Sequence, residues 1–111
     1  MECIFCEFIN GRETHVEYSE FTKGKQPYPI IPIFENNTVF SFLSAPDNKG
    51  ETHLLVIPKE HEEFIENLNK KHTNEIFLIV AKMAGIIREN YGDCSISLNN
   101  GRNADQYIKH I

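Results

Sequence analysis

The sequence predicts an α+β domain in which an antiparallel sheet is covered by one long helix. Three observations carry that prediction. Two strand-like apolar runs, Thr38–Leu43 and Thr52–Ile57, are bounded by turn-forming residues. The stretch Thr73–Tyr91 contains no proline, ends at Gly92 and is rich in apolar residues from Ile76 to Ile87. A chain of 111 residues with 41% hydrophobic content suits a single two-layer core and little more.

Each element follows from its residues in turn. Met1-Glu2-Cys3-Ile4-Phe5-Cys6-Glu7 places acid where a signal peptide carries base and lacks a long apolar region. No apolar run approaches the roughly 18 to 20 residues of a membrane span. The expectation is a soluble, cytoplasmic protein with no membrane partner. Arg12 to Pro32 is polar and aromatic, and Pro27-Tyr28-Pro29-Ile30-Ile31-Pro32 excludes a regular helix, so this stretch is expected to be an extended surface insert. Ile33-Phe34, a turn at Glu35-Asn36-Asn37, and Thr38–Leu43 predict a hairpin. Pro46-Asp47-Asn48-Lys49-Gly50 predicts a loop. Thr52–Ile57, closed by Pro58, predicts a buried strand, and Glu60–Leu68 a short acidic helix. The apolar side chains of Thr73–Tyr91 nearly encircle the helix, which therefore needs two partners, the sheet and a second subunit; a homodimer is expected. Cys94–Leu98 reads as a strand with Cys94 buried, Asn99–Asp105 as a loop, and the residues from Gln106 as a final strand.

The charge balance is 11 − 16 = −5, which argues against a general nucleic-acid binder but leaves room for one small phosphate ligand. Three cysteines without a secretion signal do not form a disulfide framework. Cys3 and Cys6 form a C-x-x-C pair, a spacing that lets two thiolates reach one zinc ion, although a redox pair or two packed thiols fit the same spacing. His53 and His110 each interrupt an apolar strand-like run, where an imidazole needs a partner; a satisfied core histidine and a metal ligand both answer that need. Asn99-Asn100-Gly101 and Asn103 make a polar stretch that can present amides to a phosphate or serve as an ordinary turn.

Several stretches together resemble the histidine-triad (HIT) family of nucleotide-binding proteins. They are Cys3-Ile4-Phe5-Cys6-Glu7-Phe8-Ile9-Asn10-Gly11, the hairpin Ile33–Leu43, His53-Leu54-Leu55-Val56-Ile57-Pro58-Lys59-Glu60-His61, and Asn99-Asn100-Gly101 through Gln106, Ile108 and His110. The match runs in the family's order over almost the whole chain. The resemblance implies a five-stranded antiparallel sheet with the long helix packed on it and a dimer formed through that helix. It implies a structural Zn2+ held by Cys3, Cys6, His53 and His110, with His61 a structural position at the end of the sheet. It implies a purine nucleotide or nucleoside phosphoramidate as ligand, with Phe34, Ser44, Asn99 and Gln106 on the nucleotide side.

The family reaction is hydrolysis or transfer of a nucleotidyl group through the middle histidine of an H-φ-H-φ-H motif. In this sequence His110 matches the first histidine, so the expected nucleophile lies beyond Ile111 in a longer natural chain; a non-catalytic zinc-stabilised nucleotide-binding or dimerisation module is the alternative. Ser44 stands where many members place an aspartate on the ribose, and Asp105 and Tyr107 stand where members often have glycine and Ser or Thr. The acid at Asp105 is expected to weaken phosphate binding.

Overall fold

The computed structural model describes residues 3–13, 15–16, 28–44, 53–106, 108 and 110–111, with the backbone alone for 15, 16 and 28. The chain opens with a short helix, α1 (Ile4–Ile9), capped by Cys3, whose sulfur accepts the Cys6 N–H at 3.5 Å. Phe5 and Phe8, three residues apart, share its buried face. β1 (His15–Val16) pairs antiparallel with β2 (Tyr28–Pro29) as a separate two-stranded ribbon. β3 (Ile31–Glu35), β4 (Val39–Leu43) and β5 (Leu54–Pro58) form a three-stranded antiparallel sheet in that order.

The expected hairpin joins β3 to β4. Asn36 closes it, its Oδ1 accepting the N–H groups of Thr38 at 2.8 Å and Val39 at 2.7 Å, so the turn takes over donors the ladder leaves open. Pro32 is tolerated because β3 is an edge, and the register shifts between Pro32 and Phe34. β4 is central and buried on both faces. Phe40 and Phe42 join Phe5, Phe8, Ile30 and Ile57 in the main core, with Phe42 edge-on to Phe5 at 5.7 Å and to Phe8 at 5.4 Å. Val39 and Ser41 alternate onto the opposite face, and the Ser41 hydroxyl donates to the Leu55 carbonyl at 2.9 Å, which satisfies it in a fully buried place.

α2 (Lys70–Asn90) lies against β5 and β4. It begins three residues before the expected start because Asn69 caps it, Oδ1 accepting the His72 N–H at 2.8 Å. Gly92, at φ +105°, follows its end. Ile76 and Met83, two turns apart, are buried, whereas Phe77, Leu78 and Ile86 are 48%, 68% and 45% exposed. Among the described residues no helix is long and apolar enough to cross a membrane.

Several expected elements take another form. The N-terminal helix α1 was not foreseen. Glu60–Leu68 holds only a single 3-10 turn at Ile65–Asn67. Cys94–Leu98 is not a strand; Cys94, Ile96 and Leu98 are exposed, because among the described residues no neighbour supplies a ladder. The described residues from Gln106 onward likewise form no strand, so among the described residues the sheet has three strands where five were expected. Most of the proline-containing insert, residues 14 and 17–27, and the loop 45–52 lie outside the described residues.

Candidate metal centre

Four soft donors converge where α1 meets the C-terminal end of β5. The Sγ atoms of Cys3 and Cys6 and a ring nitrogen each of His61 and His110 all lie within 4.8 Å of one another. α1 supplies the first pair, since a cap at Cys3 and one helical turn bring Cys6 back beside it. His61 follows β5 by three residues, and His110 arrives from the far end of the chain, 107 residues from Cys3.

His110 is the anchor. It is 2% exposed, and its Nε2 lies 2.7 Å from the Pro58 carbonyl. A carbonyl only accepts, so Nε2 carries the proton and Nδ1 keeps a free lone pair. That Nδ1 faces both sulfurs, 3.5 Å from Cys3 Sγ and 3.6 Å from Cys6 Sγ. Burial, the dominant influence, holds His110 below the ordinary histidine value of 6.5; the Pro58 carbonyl acts against this and His61 adds to it. The ring is therefore neutral at pH 7, the form that donates to a metal. His61 Nδ1 lies 3.3 Å from Cys6 Sγ, its ring edge-on to His110 at 5.1 Å, and its exposure leaves the centre open to solvent on that side.

The cysteines carry the opposite tendency. Burial first, then the hydrogen bond and charge of Cys3 and the charge of Glu7, push the Cys6 thiol up to about 11. Alone, the thiol keeps its proton; a divalent cation between the two sulfurs reverses that balance by displacing it.

Do the donors fit a metal? Zn–S near 2.3 Å and Zn–N near 2.0–2.1 Å at a tetrahedral angle require sulfur and nitrogen about 3.6 Å apart. Three of the four sulfur–nitrogen distances, at 3.5, 3.6 and 3.3 Å, match that requirement, and the fourth pair, Cys3 with His61, lies within 4.8 Å. The residues fit a tetrahedral Cys2His2 zinc site.

The fourth donor differs from the expected one. His53 was expected beside Cys3, Cys6 and His110; the structure places His61 there and leaves His53 exposed just ahead of β5. The reason is strand length. His53 precedes Leu54 and His61 follows Pro58, so the five residues of β5, at about 3.3 Å each, separate them by some 16 Å. The Pro58 end is the one that holds His110, and His61 is the histidine at that end. No local signal in the sequence told the two ends apart, since only the arrival of α1 and His110 at the Pro58 end selects His61.

The residues expected on the nucleotide side are spread over two regions. Phe34 is half-buried on β3, with Lys82 Nζ 5.5 Å from its ring centroid, and Ser44 follows β4, its N–H donating to the His53 carbonyl at 3.1 Å. Asn99 is exposed, its Nδ2 3.4 Å from the Asp105 carbonyl. Gln106 turns inward: Oε1 accepts the Gly101 N–H at 2.6 Å, and Nε2 donates to the carbonyls of Glu63 at 2.6 Å and Ile108 at 3.2 Å. Tyr107 lies outside the described residues.

Known proteins share the sequence pattern and the fold. Residues 2–111 match the family model described as scavenger mRNA decapping enzyme C-term binding. The chain is 33% identical over 113 residues to an adenosine 5'-monophosphoramidase of Schizosaccharomyces pombe, covering all of this chain and 70% of that protein. It is 30% identical to an uncharacterised HIT-like protein of Methanocaldococcus jannaschii, covering 98% and 73% of the two chains. Among solved structures, a HIT-family protein of Bacillus subtilis superposes with a TM-score of 0.70 at 29% identity, over 99% of this chain and 68% of the other. A zinc-bound histidine-triad protein of Mycobacterium smegmatis shares the fold, with a TM-score of 0.75 at 24% identity over 99% and 70%.

Proposed function

This chain belongs to the histidine-triad family, and from that premise we propose that it is a zinc-stabilised nucleotide-binding protein of the phosphoramidate-hydrolysing kind. Cys3, Cys6, His61 and His110 hold the ion, which supplies structure: four protein ligands leave no position for an activated water. The observation that carries this reading is the convergence of four donors within 4.8 Å, with three sulfur–nitrogen distances of 3.3 to 3.6 Å close to what tetrahedral zinc requires.

The ligand is a purine nucleotide or nucleoside phosphoramidate, a reading supported by the S. pombe and Candida albicans relatives, both adenosine 5'-monophosphoramidases. Phe34 and Ser44 serve the base and sugar, and the loop Asn99–Asp105 the phosphate, with Gln106 bonded to the backbone at the end of that loop. His110 is not the nucleophile. Its Nε2–H is spent on Pro58 and its Nδ1 faces the two thiols, which leaves no ring nitrogen for attack on a phosphate. The exposed Phe77, Leu78 and Ile86 on α2 support a homodimer through that helix.

The test is metal analysis followed by calorimetric titration of the zinc-loaded chain with AMP. One zinc per chain and saturable AMP binding are expected. A chain that takes up no zinc overturns the metal site; a zinc-loaded chain that ignores AMP overturns the nucleotide reading.

A further inference from the structure

We propose that Gln106, together with Asn100, is a positioning residue of the metal centre, setting the distance between His61 and His110 before any ion arrives. The inference rests on the metal reading above. Both histidines sit on irregular backbone: His61 heads a segment with a single 3-10 turn, and His110 ends a segment without a ladder. Loops of that kind do not by themselves hold two rings to within tenths of an ångström of a ligand geometry.

What holds them is a row of hydrogen bonds between the two segments. The Ile111 N–H donates to the Glu62 carbonyl at 2.7 Å, next to each histidine in sequence. Gln106 Nε2 donates to the Glu63 carbonyl at 2.6 Å. The Ile65 N–H donates to Asn100 Oδ1 at 2.9 Å, and Asn100 Nδ2 donates to Glu66 Oε1 at 2.9 Å. Beyond the backbone bond at 62, side-chain amides thus do the work of a ladder along 63, 65 and 66. Gln106 is the hub, because its Oε1 also accepts the Gly101 N–H at 2.6 Å and so fixes the loop that carries Asn100. Both ends of this amide are required: an acceptor for Gly101 and a donor for Glu63. With both ends engaged by backbone, Gln106 acts on the site through position, not through contact with a ligand.

The test uses the full chain and its Gln106→Ala, Gln106→Glu and Asn100→Ala variants. Each is titrated with Co2+ and then Zn2+ against a chromophoric chelator, and melted with and without zinc. The ligands are untouched, so the thiolate-to-cobalt bands should persist while affinity falls about 10- to 100-fold, the range for residues that orient metal ligands. The rise in melting temperature on adding zinc should shrink in parallel. Gln106→Glu keeps the acceptor for Gly101 but loses the donor to Glu63, and should follow Gln106→Ala. A purely structural residue would lower both melting temperatures equally and leave affinity intact; that result overturns the proposal, as does wild-type affinity in Gln106→Glu. If Gln106→Ala fails to fold, Asn100→Ala, on an exposed loop, decides. A wild-type chain that gives no thiolate–cobalt bands sinks the metal reading itself, a distinguishable failure.

Discussion

Replacing His61 by alanine, and separately His53 by alanine, decides which histidine completes the metal centre. His61 Nδ1 is 3.3 Å from Cys6 Sγ and within 4.8 Å of every other donor, whereas His53 is exposed ahead of β5. Structural zinc contributes about 10 to 16 kcal/mol near pH 7. Shared among four ligands, one ligand carries roughly 2.5 to 4 kcal/mol, which at about 1.4 kcal/mol per tenfold is a 10²- to 10³-fold loss of affinity. His61 is exposed, so its removal opens no cavity and the loss should appear in affinity, not in folding of the metal-free chain. The assay is competition for zinc against a chelator of known affinity, with cobalt spectra reporting the ligand set. His61→Ala should retain both thiolate bands with a water in place of the ring, and His53→Ala should match the wild type within twofold. If His53→Ala loses the metal while His61→Ala keeps it, the geometric argument from strand length is wrong.

Other expectations follow from the same structure. Phe42→Ala removes a fully buried ring packed edge-on against Phe5 and Phe8, and should cost about 3 to 5 kcal/mol in urea denaturation of the zinc-loaded chain. The Asn100 amide holds the Glu66 carboxyl below its ordinary value of 4.5, so this link contributes stability above pH 4.5 that is lost as pH falls through the depressed value. Carbon-detected NMR titration should show the Glu66 value rising in Asn100→Ala, with the backbone hydrogen bond at Glu66 still holding it down in part. On the proposed homodimer, Leu78→Glu, on the exposed face of α2, should shift sedimentation toward monomer without changing zinc content. Chelating the metal should raise amide exchange first in α1 and in residues 62–66, since these lean on the metal centre, while β4 stays protected by its two buried faces.

The sequence was most legible where a pattern is local. The Asn36 turn, the apolar run of β4 and the long helix are each dictated by neighbours within a few residues; the hairpin formed where expected, and the helix began three residues early. The cysteine pair and His110 were legible for a chemical reason: thiols and buried imidazoles need partners. Legibility failed where a distant segment decides. Cys94, Ile96 and Leu98 alternate as a strand does, but alternation specifies a face and not the neighbour that completes a ladder. His53 and His61 flank one strand, and nothing local says which end of it meets the N-terminus. α1 escaped because Cys3 caps it, an unusual role for a residue whose chemistry points to metal.

Those failures share a cause that bears on why this place suits the proposed metal. The main core gathers α1 and the sheet around Phe42, while the segments bearing His61 and His110 carry no ladder and little apolar burial of their own. Hydrophobic packing alone leaves such segments weakly placed in a chain of this size. A cross-link between Cys3 and His110 closes a span of 107 residues, and one between Cys6 and His61 a span of 55. Loop-closure entropy grows slowly with length, so an ion that ties both at once removes much disorder from the unfolded chain for a single binding event. The donors, the inward-turned Gln106 and the Pro58 carbonyl therefore belong to one device: polar groups that position, in the absence of a ladder, the loop on which nucleotide recognition is proposed to depend.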